Sequence, residues 1–385
     1  MALDIIIQIL VILAISIIMG EIFEQLKFPS VIGYLIAGLT VGPFFLNIIQ
    51  ISSGLSTISS LSLFFIIFLL GIEMKTEYVV KYLKRGIKMT ITSFILPLIL
   101  SAFLSVVLFK FGIRADFIVS LSIAVPSISI VSVLIMRYRL ERDPRGITIV
   151  SSVIITDVLA FILLVMSYKS ALNAILVIVY FAVFLVIFVN VDKILNKGKQ
   201  TLRMHLNRSR KTLKSEHFGY AMIIIIGLLI GGISQLIGIN YIIGVFFAGL
   251  IIHEGLIGRK LFGKVRRTIK RMNDGFFIPL FFGIAGVVVS SFGAMENLII
   301  RIALMSILVI SFSLYLNFHF SKKIMKTRNK AWRKKISAII NGRGAVGIAI
   351  ATVAINAGVI TNPAYSVAVL ATIIISIVAT SFLRS

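Results

Sequence analysis

The sequence predicts an all-α polytopic membrane protein with 13 transmembrane helices arranged as an inverted-topology repeat. Three observations predict it. The 385 residues are 59% hydrophobic and only 14% charged, whereas soluble chains carry about a quarter charged residues. The apolar residues fall into runs of about twenty, the length a helix needs to cross a bilayer. Lys and Arg gather in alternate loops, as cytoplasmic loops require. A soluble enzyme is excluded. With no cysteine, disulfides, thiolate metal sites and cysteine nucleophiles are excluded together. The four histidines lack the spacing of a zinc site.

In order along the chain, the spans lie near 3–25, 29–47, 55–74, 89–110, 115–136, 147–168, 171–191, 218–237, 240–255, 275–292, 297–319, 336–357 and 363–382. The loops after odd-numbered spans hold 33 of the 39 basic residues, and the loops after even-numbered spans hold 4. This split places the N-terminus outside and the C-terminus in the cytoplasm of a multi-pass plasma-membrane protein. Gaining or losing one span would scramble it. The net charge of +25 therefore reflects topology and attraction to anionic lipid, and no nucleic-acid partner is expected even for the basic run 193–214. Met1-Ala-Leu-Asp4 has no basic region of the kind that opens a cleaved signal peptide, and no appended soluble domain is expected. Residues 1–385 form one transmembrane unit.

Span 2 reads Val31-Ile-Gly-Tyr-Leu-Ile-Ala-Gly-Leu-Thr-Val41, and span 9 reads Ile242-Ile-Gly-Val-Phe-Phe-Ala-Gly-Leu-Ile-Ile252. Gly33, Ala37, Gly38 and Leu39 recur as Gly244, Ala248, Gly249 and Leu250 at an offset of 211. Phe64-Phe-Ile-Ile-Phe-Leu-Leu-Gly71 of span 3 matches Phe276-Phe-Ile-Pro-Leu-Phe-Phe-Gly283 of span 10 at an offset of 212. Partners seven spans apart cross the membrane in opposite senses, a construction common in secondary transporters. The repeats are approximately 3–168 and 218–382, with 171–191 as connector.

Transporter sites of this construction lie near the midplane, where corresponding helices are interrupted. Span 5 carries Pro126 among Ser122, Ser127, Ser129 and Ser132, and its partner, span 12, carries Asn341-Gly342-Arg343-Gly344 followed by Gly347. Proline removes a backbone donor and glycine weakens a helix, so both segments can expose backbone groups at depth.

Of the fourteen acidic residues, Asp157 alone is far from both ends of its span. A carboxylate at mid-bilayer costs about 2.5–3.5 kcal/mol, so it favours holding a proton or a small cation. Thr156 beside it can supply a hydroxyl oxygen. Glu73, near the inner end of span 3, is a secondary candidate. Arg343 is the other intramembrane charge and stays protonated, so it is expected to pair with a carboxylate or with carbonyls freed by the broken helices.

These residues resemble a known family. Leu26-Lys-Phe-Pro-Ser-Val-Ile-Gly-Tyr-Leu-Ile-Ala-Gly-Leu-Thr-Val-Gly-Pro43 is similar to the second-span signature of monovalent cation:proton antiporters of the second family. That group includes NapA-type, GerN-type and Kef-type membrane domains. Phe68-Leu-Leu-Gly-Ile-Glu73, Thr156-Asp157 and Gly342-Arg-Gly-Ala-Val-Gly347 agree with it, and the resemblance covers essentially the whole chain. It implies an NhaA-like fold with spans 5 and 12 as crossed discontinuous helices, a homodimer, and Asp157 as the residue carrying ion and proton. Three departures stand out: Thr156 where electrogenic members often have Asn or Asp, Ala345 where they often have Glu, and serines such as Ser311 and Ser313 in span 11 where they carry a lysine. The resulting expectation is an antiporter that exchanges Na⁺, or K⁺ or Li⁺, for H⁺ at Asp157 and Thr156. It would be electroneutral, elevator-like and without a cofactor. The alternative is a gated potassium efflux channel, which would more naturally show a continuous polar pathway. A membrane-embedded enzyme lacks any nucleophile–base or metal-ligand constellation.

Overall fold

The computed structural model describes residues 4–26, 28–73, 76–127, 130–131, 134–135, 138–140, 143–168, 216–236, 241–252, 259–290 and 296–383. The expected connector 171–191 and the basic run 193–214 lie outside them. Among the described residues every element is helical, and seven helices are long and apolar enough to cross a membrane. Shorter apolar helices lie at Ser30–Val41, Tyr220–Leu236 and Val346–Asn356. The chain forms two compact units.

The first unit comprises Met1–Ser59, Lys75–Tyr168 and Pro279–Ser385. It opens with α1 (Ile5–Gln25), whose first turn is capped by the Asp4 carboxylate accepting from the Ile6 N–H. Such a cap satisfies a donor that the helix itself cannot. Next come α2 (Ser30–Val41), the start of α3 (Ser53–Glu73), and α4 (Thr76–Thr90). A π-helical turn over Ile91–Ile95 joins α4 to α5 (Leu96–Leu108). Pro97, at the second position of α5, accounts for that turn. A proline ring clashes with the carbonyl four residues back, and widening the helix by one residue relieves the clash. The unit continues with α6 (Ile113–Ala124) and α7 (Pro144–Tyr168). At the start of α7, Asp143 accepts from the Arg145 guanidinium at 2.6 Å, which holds its carboxyl below the usual range. Arg145 in turn lies 4.0 Å from the Trp332 ring centroid.

The second unit comprises Ser60–Met74 and Lys169–Ile278. It holds the end of α3 together with α8 (Glu216–Leu236), α9 (Tyr241–Ile251), and α10 (Arg259–Met272) with its π-helical turn Asn273–Phe277. Phe64, Phe68, Ile72, Val245, Ala248, Val265 and Ile269 form its core. The remaining helices belong to the first unit: α11 (Ile278–Ser290), α12 (Glu296–Ile324), α13 (Lys330–Ile340), α14 (Ala345–Asn356) and α15 (Asn362–Phe382). The Asn329 side chain caps α13 by accepting from the N–H groups of Ala331 and Trp332 at 2.9 and 3.3 Å.

Close glycine contacts occur within each unit. In the first, a Cβ on Gly20 would strike the Tyr34 ring, and one on Gly33 would lie 2.7 Å from the Gly20 nitrogen. In the second, a Cβ on Gly231 would lie 2.8 Å from Val245, and one on Gly244 2.7 Å from the Ile230 carbonyl. Gly286 approaches the Leu35 carbonyl, with Gly38 Cα 2.9 Å from its Cβ position. Gly71 approaches the Phe246 carbonyl, with Gly249 Cα 2.9 Å away. Gly38 and Gly249, which the sequence relates at an offset of 211, each meet a glycine within their own unit, Gly286 and Gly71 respectively.

Candidate ion site at two broken helices

Pro126 has no N–H and disfavours helical backbone in the residue before it. Accordingly α6 stops at Ala124, and Val125 is extended. On the other strand of the site α13 stops at Ile340, and Asn341 through Gly344 separate it from α14. The two breaks meet. Pro126 and Arg343 form an isolated antiparallel bridge, and the Ser127 N–H donates to the Gly342 carbonyl at 2.8 Å. Glycine is required by proximity. A Cβ on Gly347 would collide with the Ser122 carbonyl, and one on Gly342 would lie 2.7 Å from Ile130 Cγ2. The Ser376 hydroxyl donates to the Arg343 carbonyl from α15. Ser129 lies outside the described residues.

Asp157 sits in the middle of α7, thirteen residues beyond Pro144, about 20 Å along the helix. Both Thr156 and Asp157 are fully buried. Neither carboxylate oxygen of Asp157, nor the Thr156 hydroxyl, has a hydrogen-bond partner among the described residues. Helix α7 packs on α4, where Thr90 donates to the Ser152 carbonyl at 3.1 Å, and it also touches α6, α13 and α14. A second buried carboxylate, Asp116, gives the contrast: it accepts from Ser105 Oγ at 2.7 Å and from the Gly112 N–H at 3.1 Å. Asp116 is structurally satisfied, and Asp157 is not. Burying an ionised carboxylate without partners is costly, so Asp157 is suited to binding a proton or a cation.

Arg343 is 1% exposed. Its Nη2 donates to the Ser93 carbonyl at 3.1 Å and to Asn341 Oδ1 at 3.2 Å. Its Nε and Nη1 have no partner among the described residues. This differs from the expectation from sequence. Among the described residues the guanidinium pairs with no carboxylate, and the main-chain carbonyl it reaches belongs to the π-turn before α5, not to a broken helix. Sequence reasoning also missed the surrounding network. Asn341 Oδ1 accepts from the Ser313 hydroxyl, and Asn317 Nδ2 donates to the Ser313 carbonyl at 2.8 Å. The Thr92 hydroxyl donates to Asn317 Oδ1 at 2.9 Å. An asparagine inside an apolar span, and a Thr-Ser pair shortly before a proline, were the signals available. Glu73 belongs to the second unit, where it accepts from Arg266 Nη2 at 3.2 Å and is partly exposed.

Two broken helices joined by a backbone bridge, in a chain with seven described helices long and apolar enough to cross a membrane, define the class: a polytopic helical membrane protein. The chain belongs to the sodium/hydrogen exchanger, transmembrane family, whose model matches residues 10–385. It is 24% identical over 277 residues to Probable Na(+)/H(+) antiporter 3 of Methanocaldococcus jannaschii, covering 72% of this chain and 70% of that one. It is 24% identical over 385 residues to the Na(+)/H(+)-K(+) antiporter GerN of Bacillus cereus, covering 98% and 95%. Its fold is similar to that of the sodium proton antiporter MjNhaP1 from Methanocaldococcus jannaschii, with a TM-score of 0.69, 16% identity, and coverage of 99% and 97%.

Proposed function

We propose that this chain is a secondary antiporter that exchanges Na⁺, or K⁺ or Li⁺, for H⁺ at Asp157, with Thr156 contributing a hydroxyl ligand. The observation that carries the reading is the wholly buried Asp157, whose oxygens have no partner among the described residues. A carboxylate in that setting can be neutralised by a proton or by an alkali cation, and competition between the two is the chemistry of exchange. Membership of the exchanger family supports cation/proton exchange. The named ions of its relatives include both Na⁺ and K⁺, which is why the cation is left as a class. The broken helices around Pro126 and Arg343 support an NhaA-like core, and the recurring glycine contacts support the inverted repeat. On this reading the chain works as a homodimer by elevator-like alternation, with its basic loops against anionic lipid in the plasma membrane. Where the resemblance leads electrogenic relatives to carry a lysine, α12 has serines such as Ser311 and Ser313, which favours electroneutral exchange. The test is dissipation of an imposed pH gradient in proteoliposomes across a series of alkali chlorides, with Asp157→Asn as control. A saturating, proton-coupled flux that the variant lacks supports the reading. A flux that neither saturates nor responds to the proton gradient would replace it with a channel.

A further inference from the structure

The loops after even-numbered spans hold only Lys110, Arg114, Lys169 and Arg301. Lys169 lies outside the described residues, and the structure brings the other three to one place. The last carbonyls of α5 have no partner within the helix. Arg301, near the start of α12, donates from Nη1 to one of them, that of Leu108, at 3.0 Å. Lys110 follows two residues later, and Arg114 stands in the first turn of α6. Asp116 binds the end of α5 to the start of α6 by accepting from Ser105 Oγ and the Gly112 N–H. All three cations are exposed, and none forms an ion pair among the described residues. Lys110 has a left-handed φ of 56°, a conformation that favours glycine at a helix end. Capping Leu108 accounts for Arg301, but it gives no reason for a lysine held against its backbone preference or for Arg114.

Two exposed apolar stripes at helical spacing run from this cluster: Ile99, Phe103 and Val106 on α5, and Ile300, Leu304 and Ile307 on α12. The two helices pack together. We propose that Lys110, Arg114 and Arg301 bind the headgroup phosphate of an anionic phospholipid whose acyl chains lie along these stripes. Charge and apolar surface together select that partner. A free anion gains nothing from the stripes, and a lipid without net charge gains little from three cations. The contact requires nothing of the exchange at Asp157. Only its assignment to the outer leaflet rests on the topology read from the basic loops, which puts it opposite Lys322 and Lys323 at the far end of α12.

The experiment uses the purified full chain in a neutral detergent, with phosphatidylglycerol or phosphatidylcholine added. Thermal unfolding gives the lipid concentration for half-maximal stabilisation. Each charge near an anionic lipid contributes about fivefold in affinity, so phosphatidylglycerol should act on the wild type at a concentration about a hundredfold lower than phosphatidylcholine. Lys110→Gly combined with Arg114→Gln should raise that concentration about twenty-five-fold, while Arg301 keeps its bond to Leu108. Glycine also relieves the left-handed residue, so the lipid-free melting temperature should not fall. Lys322→Gln combined with Lys323→Gln should change phosphatidylglycerol affinity less than roughly twofold. Wild-type affinity in the Lys110/Arg114 variant, its failure to fold, or an equal loss in the Lys322/Lys323 variant would each overturn the inference. So would stabilisation of the wild type by inorganic phosphate as strong as that by the lipid, which would mean a site for free anions.

Discussion

Asp157→Asn separates binding from stability in one substitution. Asp157 is fully buried, with no partner for either oxygen among the described residues. Its ionised form at mid-span costs about 2.5–3.5 kcal/mol, whereas an unsatisfied buried amide costs about 1–3 kcal/mol. In cation-free buffer at a pH where the carboxylate is ionised, the variant should therefore be more stable by about 1 kcal/mol, a rise of a few degrees in melting temperature. Sodium should reverse the order. A cation at a hundredfold excess over its Kd stabilises the wild type by about 2.7 kcal/mol, and it should not stabilise the variant at all. The assay is thermal unfolding of purified protein in sodium chloride and in choline chloride at equal ionic strength, beside exchange measurements in proteoliposomes. A variant that keeps its sodium-dependent stabilisation, or retains exchange above about a tenth of wild type, would remove Asp157 from the site.

Proton and cation sharing one carboxylate predicts that, below the pH at which it titrates, each tenfold rise in proton concentration raises the apparent cation KM about tenfold. A KM that is flat from acid to neutral pH would mean separate sites. The glycine register predicts that Gly71→Ala and Gly286→Ala each cost about 1–3 kcal/mol, because backbone must move apart, while Gly232→Ala and Gly263→Ala, with nothing within 4 Å of the added methyl, are neutral or stabilising. Equal loss at all four, read by thermal melts, would reject the register. Electroneutral exchange predicts that a potential of about ±100 mV, with no pH gradient and equal cation on both sides, drives no lasting proton movement beyond that of Asp157→Asn; a net charge would couple at about 2.3 kcal/mol per 100 mV.

The breaks in the helices were legible because proline and glycine act locally. Pro126 and Gly342-Arg343-Gly344 announce lost helix wherever they occur, and the structure joins the two breaks by a backbone bridge. Asp157 was legible for a related reason: hydropathy alone makes a carboxylate ten residues into an apolar run conspicuous. Arg343 was half legible. Its burial follows from the same run, but its partner depends on which helix packs beside it, and Ser93 lies 250 residues away in sequence. Which glycines of the apolar helices approach one another was not legible, because such helices reuse a few residue types; Gly38 meets both the Gly283 carbonyl and Gly286.

The site's charge arrangement follows from which groups have their needs met by neutral oxygens. Asp116 is satisfied by a hydroxyl and a backbone N–H. Arg343 is anchored by a carbonyl and an amide oxygen, and among the described residues no carboxylate pairs with it. The α12 residues nearest that anchor, Ser313 and Asn317, are neutral and bonded to one another. Asp157 is what remains: a buried carboxylate that no described group neutralises. On the proposed reading, Arg343 is a fixed charge held by neutral oxygens, and Asp157 is the one group whose neutralisation alternates between proton and cation. Each occupant would carry one positive charge, so on that reading the loaded site has the same charge in both halves of the cycle, which is the physical basis for expecting one-for-one exchange.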